Sequence, residues 1–454
     1  MRLPSATELG IRAPSWWETL LALLVIGAVL SALARVQAPT PAPRADALRY
    51  LDYSVNLLES GTFALSSPQP TAPGRANVPL YPGFLAAVFT AAHTTPTALR
   101  CYLATTTPTC PPVLGPAYGA QRALAALTIL AIWRLGWHCL GTRSGAAWTA
   151  AAALISGQSQ AFAGQLLTEN LSMPLFALTT LALVRAGSGA LGWSACAGVA
   201  LGLLTLTRPE FLYLALAVAA LALLRVPLAA GRTLRRRRLV AAAVLLTAGA
   251  MVVTPWLARN RTTFGDPALT VTYSGQVLAQ RVQYNRMTTA ELGAAFIYWL
   301  PDFGDSLALH WLPASSYRRL GFTTGSYYRA GLDYYDGLVQ ARGGTAAATA
   351  ALVHDDVLSQ PLKHVLVTLA LAWRGLFVGK LWGLCGLLAF AVVLARGGAP
   401  RSMLVRVSAP AWFMLALYAA VSVCVPRYAV CLVPTFALAL GHCANGLTWP
   451  RSRR

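Results

Sequence analysis

Apolar residues run in long blocks parted by short polar turns. About 17–25 such residues cross a bilayer as a helix. The blocks predict ten spans, at about 16–35, 117–137, 145–162, 167–185, 191–207, 210–226, 239–257, 379–396, 407–425 and 428–446. Two intervals interrupt the rhythm: 36–115, rich in Pro and Thr, and about 258–378. In the first, Leu48, Leu51, Val55 and Leu58 recur at helical spacing and Gly61 fits a C-terminal cap, so a short amphipathic helix begins near Asp46, just outside the membrane. Asp52 and Glu59 share a face of it that reads as solvated. The stretch Asn77-Val78-Pro79-Leu80-Tyr81-Pro82-Gly83 is a turn into a second, membrane-surface segment. The second interval predicts a small mixed domain or a set of surface helices, with Pro361 to Phe377 interfacial. The chain thus divides into a transmembrane module over 1–257, an extracytoplasmic segment over 258–378, and C-terminal transmembrane helices with a tail over 379–454. The first span has an alternative reading as a signal peptide cleaved after Val36-Gln37-Ala38; its length and the many spans that follow favour retention.

Composition agrees. Of 454 residues, 56% are hydrophobic and 11% charged, with a mean hydropathy of +0.55. A soluble chain carries about 25% charged residues. Disorder, coiled coil and an ordinary soluble enzyme are poor fits. The fold class expected is an all-α polytopic membrane protein.

The net charge of +21 could suggest nucleic acid. Its distribution says otherwise, because the basic residues sit in short runs between apolar blocks. With the N-terminus in the cytoplasm, the inner side holds Arg2, Arg12, Arg134, Arg143, Arg185, Arg225, the Arg232–Arg238 cluster, Arg396, Arg401, Arg406 and the tail Arg451, Arg453 and Arg454. The short outer turns hold only Arg208 and Arg427. That is the positive-inside pattern, and no nucleic-acid partner is expected. Apart from Glu8 and Glu18, every carboxylate falls on the outer side, which places the polar chemistry there.

Several residues carry candidate chemistry. Asp46 opens a helix, where the backbone dipoles keep a carboxylate ionised; a plain N-cap is the bland alternative. Glu169 opens an apolar span, and ionisable groups at membrane depth usually mark function. Arg208, Arg259 and Arg427 lie at outer membrane boundaries, suited to a lipid phosphate, or to snorkelling into headgroups. Glu210 reads as a cap or an ion-pair partner. Cys101 and Cys110, in the first outer interval, are a disulfide candidate. The other six cysteines lie in or beside apolar spans and read as small core residues. Asp302, Asp305, His310, His354, Asp355, Asp356 and His364 match no metal-site spacing. Tyr327, Tyr328, Tyr334 and Tyr335 suit a sugar or lipid groove, or an interfacial belt.

In order, the motifs are Asp46, Tyr50 and Leu57-Leu58-Glu59-Ser60-Gly61; Pro79-Leu80-Tyr81-Pro82; Thr168-Glu169; Gly202-Leu203…Thr207-Arg208-Pro209; Pro255-Trp256-Leu257-Ala258-Arg259-Asn260…Phe264-Gly265; and Arg427-Tyr428. Over residues 46–428 this series resembles the polytopic GT-C glycosyltransferases that take sugars from polyprenyl phosphate, in the bacterial group of protein mannosyltransferase-like and aminoarabinose transferase-like enzymes. Two departures stand out. Ala47 replaces the acid or Ser often found after the first Asp, and Leu80 replaces Gly in the Pro-Gly-Tyr-Pro turn.

The resemblance implies an inner-membrane enzyme with its active site on the periplasmic face and both termini cytoplasmic. It implies transfer of a monosaccharide to a hydroxyl of a glycolipid, lipopolysaccharide, polymer or protein, with inversion at the anomeric carbon. Asp46 would be the base, and Glu169 would orient Asp46 or the acceptor. Tyr50, Arg208, Arg259, Asn260, Arg427 and Tyr428 would hold the donor, while Tyr81 and Thr168 would position the acceptor or its loop. The resemblance names no cofactor and leaves a divalent cation open; Ala47 counts against a second acid ligand. The rival readings are a transporter or flippase of lipid-linked sugars and a non-catalytic assembly scaffold.

Overall fold

Helix is the secondary structure of the described residues, which are 15–36, 43–66, 72–104, 110–187, 190–229, 231–271 and 273–448 of this computed structural model. Arg2, Glu8, Arg12, the Gln37-Ala38 pair and Arg451, Arg453 and Arg454 lie outside them.

The helices are α1 (Trp16–Val36), α2 (Asp46–Ser60), α3 (Leu80–Ala91), α4 (Pro96–Ala104), α5 (Gly115–Leu140), α6 (Arg143–Ile155), α7 (Gln158–Ala163), α8 (Glu169–Ala186), α9 (Leu191–Thr207), α10 (Phe211–Leu224) and α11 (Arg232–Phe264). There follow α12 (Tyr273–Gln283), α13 (Thr289–Tyr298), α14 (Gly304–Ala308), α15 (Ala314–Leu320), α16 (Tyr327–Arg342), α17 (Thr345–Ala351), α18 (Pro361–Gly375), α19 (Leu381–Arg396), α20 (Gly398–Val421) and α21 (Leu432–Thr448). Among the described residues, four stretches are long and apolar enough to cross a membrane: Gly115–Leu140, Arg232–Phe264, Gly398–Val421 and Pro426–Gly446. The shorter apolar helices include Trp16–Ala32, Leu191–Thr207, Phe211–Leu224 and Leu381–Arg396. These helices make it a membrane protein. The single span expected over 145–162 is broken in two, because Ser156 ends α6 and Gly157 takes the left-handed conformation before α7.

The chain forms two units: residues 1–270, 396–407 and 437–454, and residues 271–395 and 408–436. In the first, α9 lies against α11 along small residues. A side chain at Gly198 would collide with the Leu245 carbonyl, and one at Gly202 would meet the Gly249 carbonyl at 2.9 Å. Lipid offers little hydrophobic drive for helix pairing, so close backbone approach supplies dispersion contacts instead. One end of this unit gathers residues assigned to the inner side. Arg143 pairs with Glu18, Arg134 donates to the Thr19 hydroxyl at 2.7 Å, and Ser144 donates to Asn445 at 2.6 Å.

α2 forms over the expected residues and ends at Gly61 (φ 66°), whose N–H donates to Leu57 O at 3.1 Å. It buries more than one face. Leu51 and Val55 pack with Tyr81, Leu85, Phe89 and Leu99, while Tyr53 packs with Phe63, Leu206 and Trp256. The face of Asp52 and Glu59 is not simply solvated. Asp52 accepts from the Ser66 N–H at 2.8 Å, and Arg100 pairs with Glu59 and donates to Asn56 at 3.0 Å. Cys101 and Cys110 are joined in a disulfide at the end of α4.

The second unit resolves the choice left open for 258–378, being helical among its described residues. Its tyrosines build its interior rather than an interfacial belt. Tyr327 and Tyr335 are buried, Tyr327 Oη donates to Glu291 at 2.9 Å, and Tyr334 Oη donates to Asp356 at 2.9 Å. On α18, Leu362, Val365, Leu366 and Leu369 are exposed opposite the buried Val367, Ala370, Leu371 and Arg374. Of the cysteines expected in the core, Cys196 and Cys385 are exposed.

Candidate active site

Asp46 is the first residue of α2 and not its cap. The capping position is Ala45, at φ 47° and ψ −115°, with no side chain to cap the helix. A non-glycine residue in that region stores backbone strain, which persists only where surrounding structure enforces it. Asp46 and Tyr50 lie one helical turn apart on α2, and Tyr50 sits beside Thr168 and Glu169 at the start of α8 and Arg208 at the end of α9.

What meets them is a buried ion cluster. α9 stops at Arg208 because Pro209 follows, and Arg208 leaves the helix extended (φ −149°, ψ 119°). Its Nη1 lies 3.1 Å from Glu169 Oε1, and its Nη2 lies 2.9 Å from Glu210 Oε1. The Glu169 side chain is 2% exposed and that of Arg208 is 11%. Glu210 is thus an ion-pair partner, and the shown partner of Glu169 is Arg208.

Tyr50 joins Asp46 to this cluster. Burial pushes its phenol above the ordinary range, and the nearby Asp46 and Glu169 carboxylates push it further, against Arg208 and a hydrogen bond with Thr168. The hydroxyl therefore stays protonated and can donate. Tyr81 packs edge-on against Tyr50, with ring centroids 5.3 Å apart. Its hydroxyl donates to Gln121 Oε1 at 2.6 Å, and Gln121 Nε2 donates to Ala163 O at 2.9 Å. Burial, then Tyr50 and Glu169, raise the Tyr81 phenol as well. Asp46, Tyr50, Tyr81, Thr168, Glu169 and Arg208 are thus brought into one neighbourhood of the first unit.

Gln121 and Asn170 belong to it too and were not singled out in the sequence. The available signal was Gln121 itself, a polar side chain inside the apolar block 117–137. An open groove beside α2 is lined by Arg49, Asp52, Ser66, Arg100 and apolar neighbours, without Asp46. Its Asp52, Ser66 and Arg100 are bonded to one another, so it is not where the chemistry gathers.

The other expected residues sit differently. Arg259, near the end of α11, donates to Gly74 O at 2.8 Å and Asn260 Oδ1 at 2.9 Å. Its guanidinium lies 4.8 Å from the Trp256 ring centre and 5.2 Å from that of Phe264. Asn260 is fully buried and donates to Ala268 O at 2.7 Å, so it ties the helix end to the next loop. Arg427 and Tyr428 belong to the second unit. Arg427 lies over the Tyr428 ring at 5.3 Å, and Tyr428 stacks on Tyr418 at 5.4 Å.

Among the described residues, no group of three or more His, Cys, Asp or Glu is placed to hold a metal. Glu169 and Glu210 are both paired with Arg208. Among the described residues the donor set does not fit a divalent cation. The acids and histidines of the second unit have other partners: Asp302 pairs with Lys380, Asp355 with Arg342 and His354, and His310 contacts Ser306 O at 3.1 Å.

No family model and no curated protein matches the chain. Among solved structures it is similar to ArnT from Cupriavidus metallidurans in the apo state, at 16% identity and a TM-score of 0.35, over 94% of this chain and 78% of that one. It is similar to the same protein bound to undecaprenyl phosphate, at 16% identity and a TM-score of 0.37, over 96% and 80%. It is also similar to arabinosyltransferase EmbB from Mycobacterium smegmatis, at 16% identity and a TM-score of 0.34, over 91% of this chain and 41% of EmbB.

Proposed function

We propose that the chain is an integral membrane glycosyltransferase of GT-C type. It moves a monosaccharide from a polyprenyl-phosphate donor to a hydroxyl of an extracytoplasmic acceptor. The observation that carries the reading is the meeting at Tyr50 of Asp46, Glu169 and Arg208, with Glu210 paired to the same arginine. Asp46, Tyr50, Glu169 and Arg208 come from three separate motifs of the family series, and one folded neighbourhood contains them all.

In this reading Asp46 takes the proton of the acceptor hydroxyl as its oxygen forms the new bond to the anomeric carbon. The bond from that carbon to the phosphate oxygen breaks, the configuration inverts, and polyprenyl phosphate leaves. Glu169 and Glu210 hold the Arg208 fork in one orientation. Arg208 and Arg259, both in the first unit, are the proposed contacts of the phosphate. Tyr50 donates a hydrogen bond, while Tyr81 and Thr168 fix its ring and hydroxyl. The spans number about ten, and α2–α4 and α12–α18 lie outside the membrane on the periplasmic side of a bacterial inner membrane. Support for this sidedness comes from the charge pattern and from the gathering of Glu18, Arg134 and Arg143 at one end of the first unit.

The test is transfer in proteoliposomes, using labelled polyprenyl-phosphate sugars and crude envelope acceptors. Loss of a general base costs about 10²–10⁴-fold in rate. Asp46→Asn should lose transfer by that order while remaining folded. Full transfer by Asp46→Asn would remove the base assignment. Label crossing the bilayer still attached to its lipid, equally for both proteins, would replace the enzyme reading with a transporter.

A further inference from the structure

Two arginines are buried in the second unit, and their surroundings treat them differently. Arg281 on α12 is fully buried and donates to Ala419 O at 2.7 Å, Asn285 Oδ1 at 2.9 Å, Thr368 Oγ1 at 2.9 Å and His364 O at 3.0 Å. Its donors have acceptors around the whole fork, which is the condition for burying a guanidinium.

Arg374, in the last turn of α18, is 8% exposed. Among the described residues no carboxylate pairs with it; its acceptors are Val423 O at 3.5 Å, outside the usual hydrogen-bond range, and the Tyr284 hydroxyl oxygen. Its guanidinium lies 4.6 Å from the Phe322 ring centre and 5.2 Å from that of Trp299. The Tyr284 hydroxyl sits against the same guanidinium. Tyr284 Oη and Trp299 Nε1 are both buried, and among the described residues neither finds an acceptor for its hydrogen.

Ring contacts offset part of the desolvation of a cation but accept none of its in-plane N–H groups. A buried positive charge beside two donors that lack acceptors is a site short of an anion. The geometry points to an oxyanion site formed by Arg374, Tyr284 and Trp299 that takes a phosphate group. The Arg fork meets two oxygens of a phosphate side by side, and the phenol and indole donors reach others. Phe322 and Trp299 wall the site with apolar surface, which suits a phosphate carried on an apolar body. The site uses none of the residues given to the donor above, and it stands whether or not Asp46 is a base.

The test uses the full chain in detergent, labelled with 5-fluorotryptophan, with the Trp299 resonance assigned by its loss in Trp299→Phe. The probes are geranyl phosphate, inorganic phosphate and geraniol. The Trp299 resonance should move saturably with geranyl phosphate. In Arg374→Gln the apparent affinity should fall by about tenfold or more, the cost of losing charge-assisted hydrogen bonds. Arg374→Lys keeps the charge, and should keep the fold and a weakened response if Arg374→Gln does not fold. A response to inorganic phosphate at matching concentration makes the ligand a free phosphate, whereas a response to geranyl phosphate alone makes it a lipid-borne one. An equal response to geraniol, no response to either anion, or a folded Arg374→Gln that binds like the native protein would overturn the site.

Discussion

At Arg208 one side chain serves two carboxylates, and this constrains every functional account of it. Its charge is balanced by Glu169 and Glu210 before any substrate arrives. Removing one member of a buried pair costs about 3–5 kcal/mol, because the partner is left uncompensated. Glu169→Gln should therefore lower the melting temperature, and Glu169→Gln combined with Arg208→Gln should cost less than the two single changes summed. A double-mutant cycle on thermal unfolding checks this, and strict additivity would mean that the pair is not coupled. Tyr50 and Tyr81 act at the same scale as protonated donors, because burial and nearby carboxylates oppose their ionisation. Asp46 and Glu169 could be named from the sequence, because an acid at a helix start or at membrane depth is conspicuous in one dimension. Gln121 could not be ranked, since its role depends on Tyr81, forty residues away in the chain.

Helix pairing in the first unit rests on glycine where side chains would collide, and it discriminates between glycines. At Gly198 an added methyl meets the Leu245 carbonyl, whereas at Gly83 in α3 it meets open space. Gly198→Val should separate α9 from α11 and cost about 1–3 kcal/mol or more by overpacking. Gly83→Ala should be neutral or stabilising by about 0.5–1 kcal/mol from helix propensity. Comparing the two by thermal melting in detergent separates close approach from a general need for glycine; equal losses would refute the packing account. α2 shows the same limit of reading from one dimension. Its length and Gly61 stop were legible, because local periodicity and backbone freedom set them. Its burial on more than one face was not, because Phe63 and Trp256 reach it from other parts of the chain.

For the molecule as a whole, stability should respond to pH through His364. Burial and the adjacent Arg281 hold its pKa down to about 4, against an ordinary 6.5. The unfolded chain therefore takes up this proton first as pH falls. The contribution of neutral His364 is complete above about pH 6.5 and is lost progressively as pH falls toward 4. Asn285, bonded to both Arg281 and His364, couples that loss to the buried arginine. Melting of the native protein and of His364→Gln between pH 7.5 and 4.5 measures the effect. A smaller fall in the variant is expected, and identical pH slopes would refute it.

The sequence by itself determined the solvent and the class of fold. Long apolar blocks can satisfy their backbone only as helices in a bilayer, and the one-sided charges orient them. It also marked most residues of the candidate site, because helix ends, prolines and isolated charges are local signals. Tertiary structure alone decided their partners. It joined Tyr50 to Arg208 across more than 150 residues, and gave Arg259 to a carbonyl and three aromatic rings. It made interior residues of Tyr327 and Tyr335, and buried Arg374 with no carboxylate partner among the described residues. Burial and pairing belong to distances in space, which no spacing along the chain encodes.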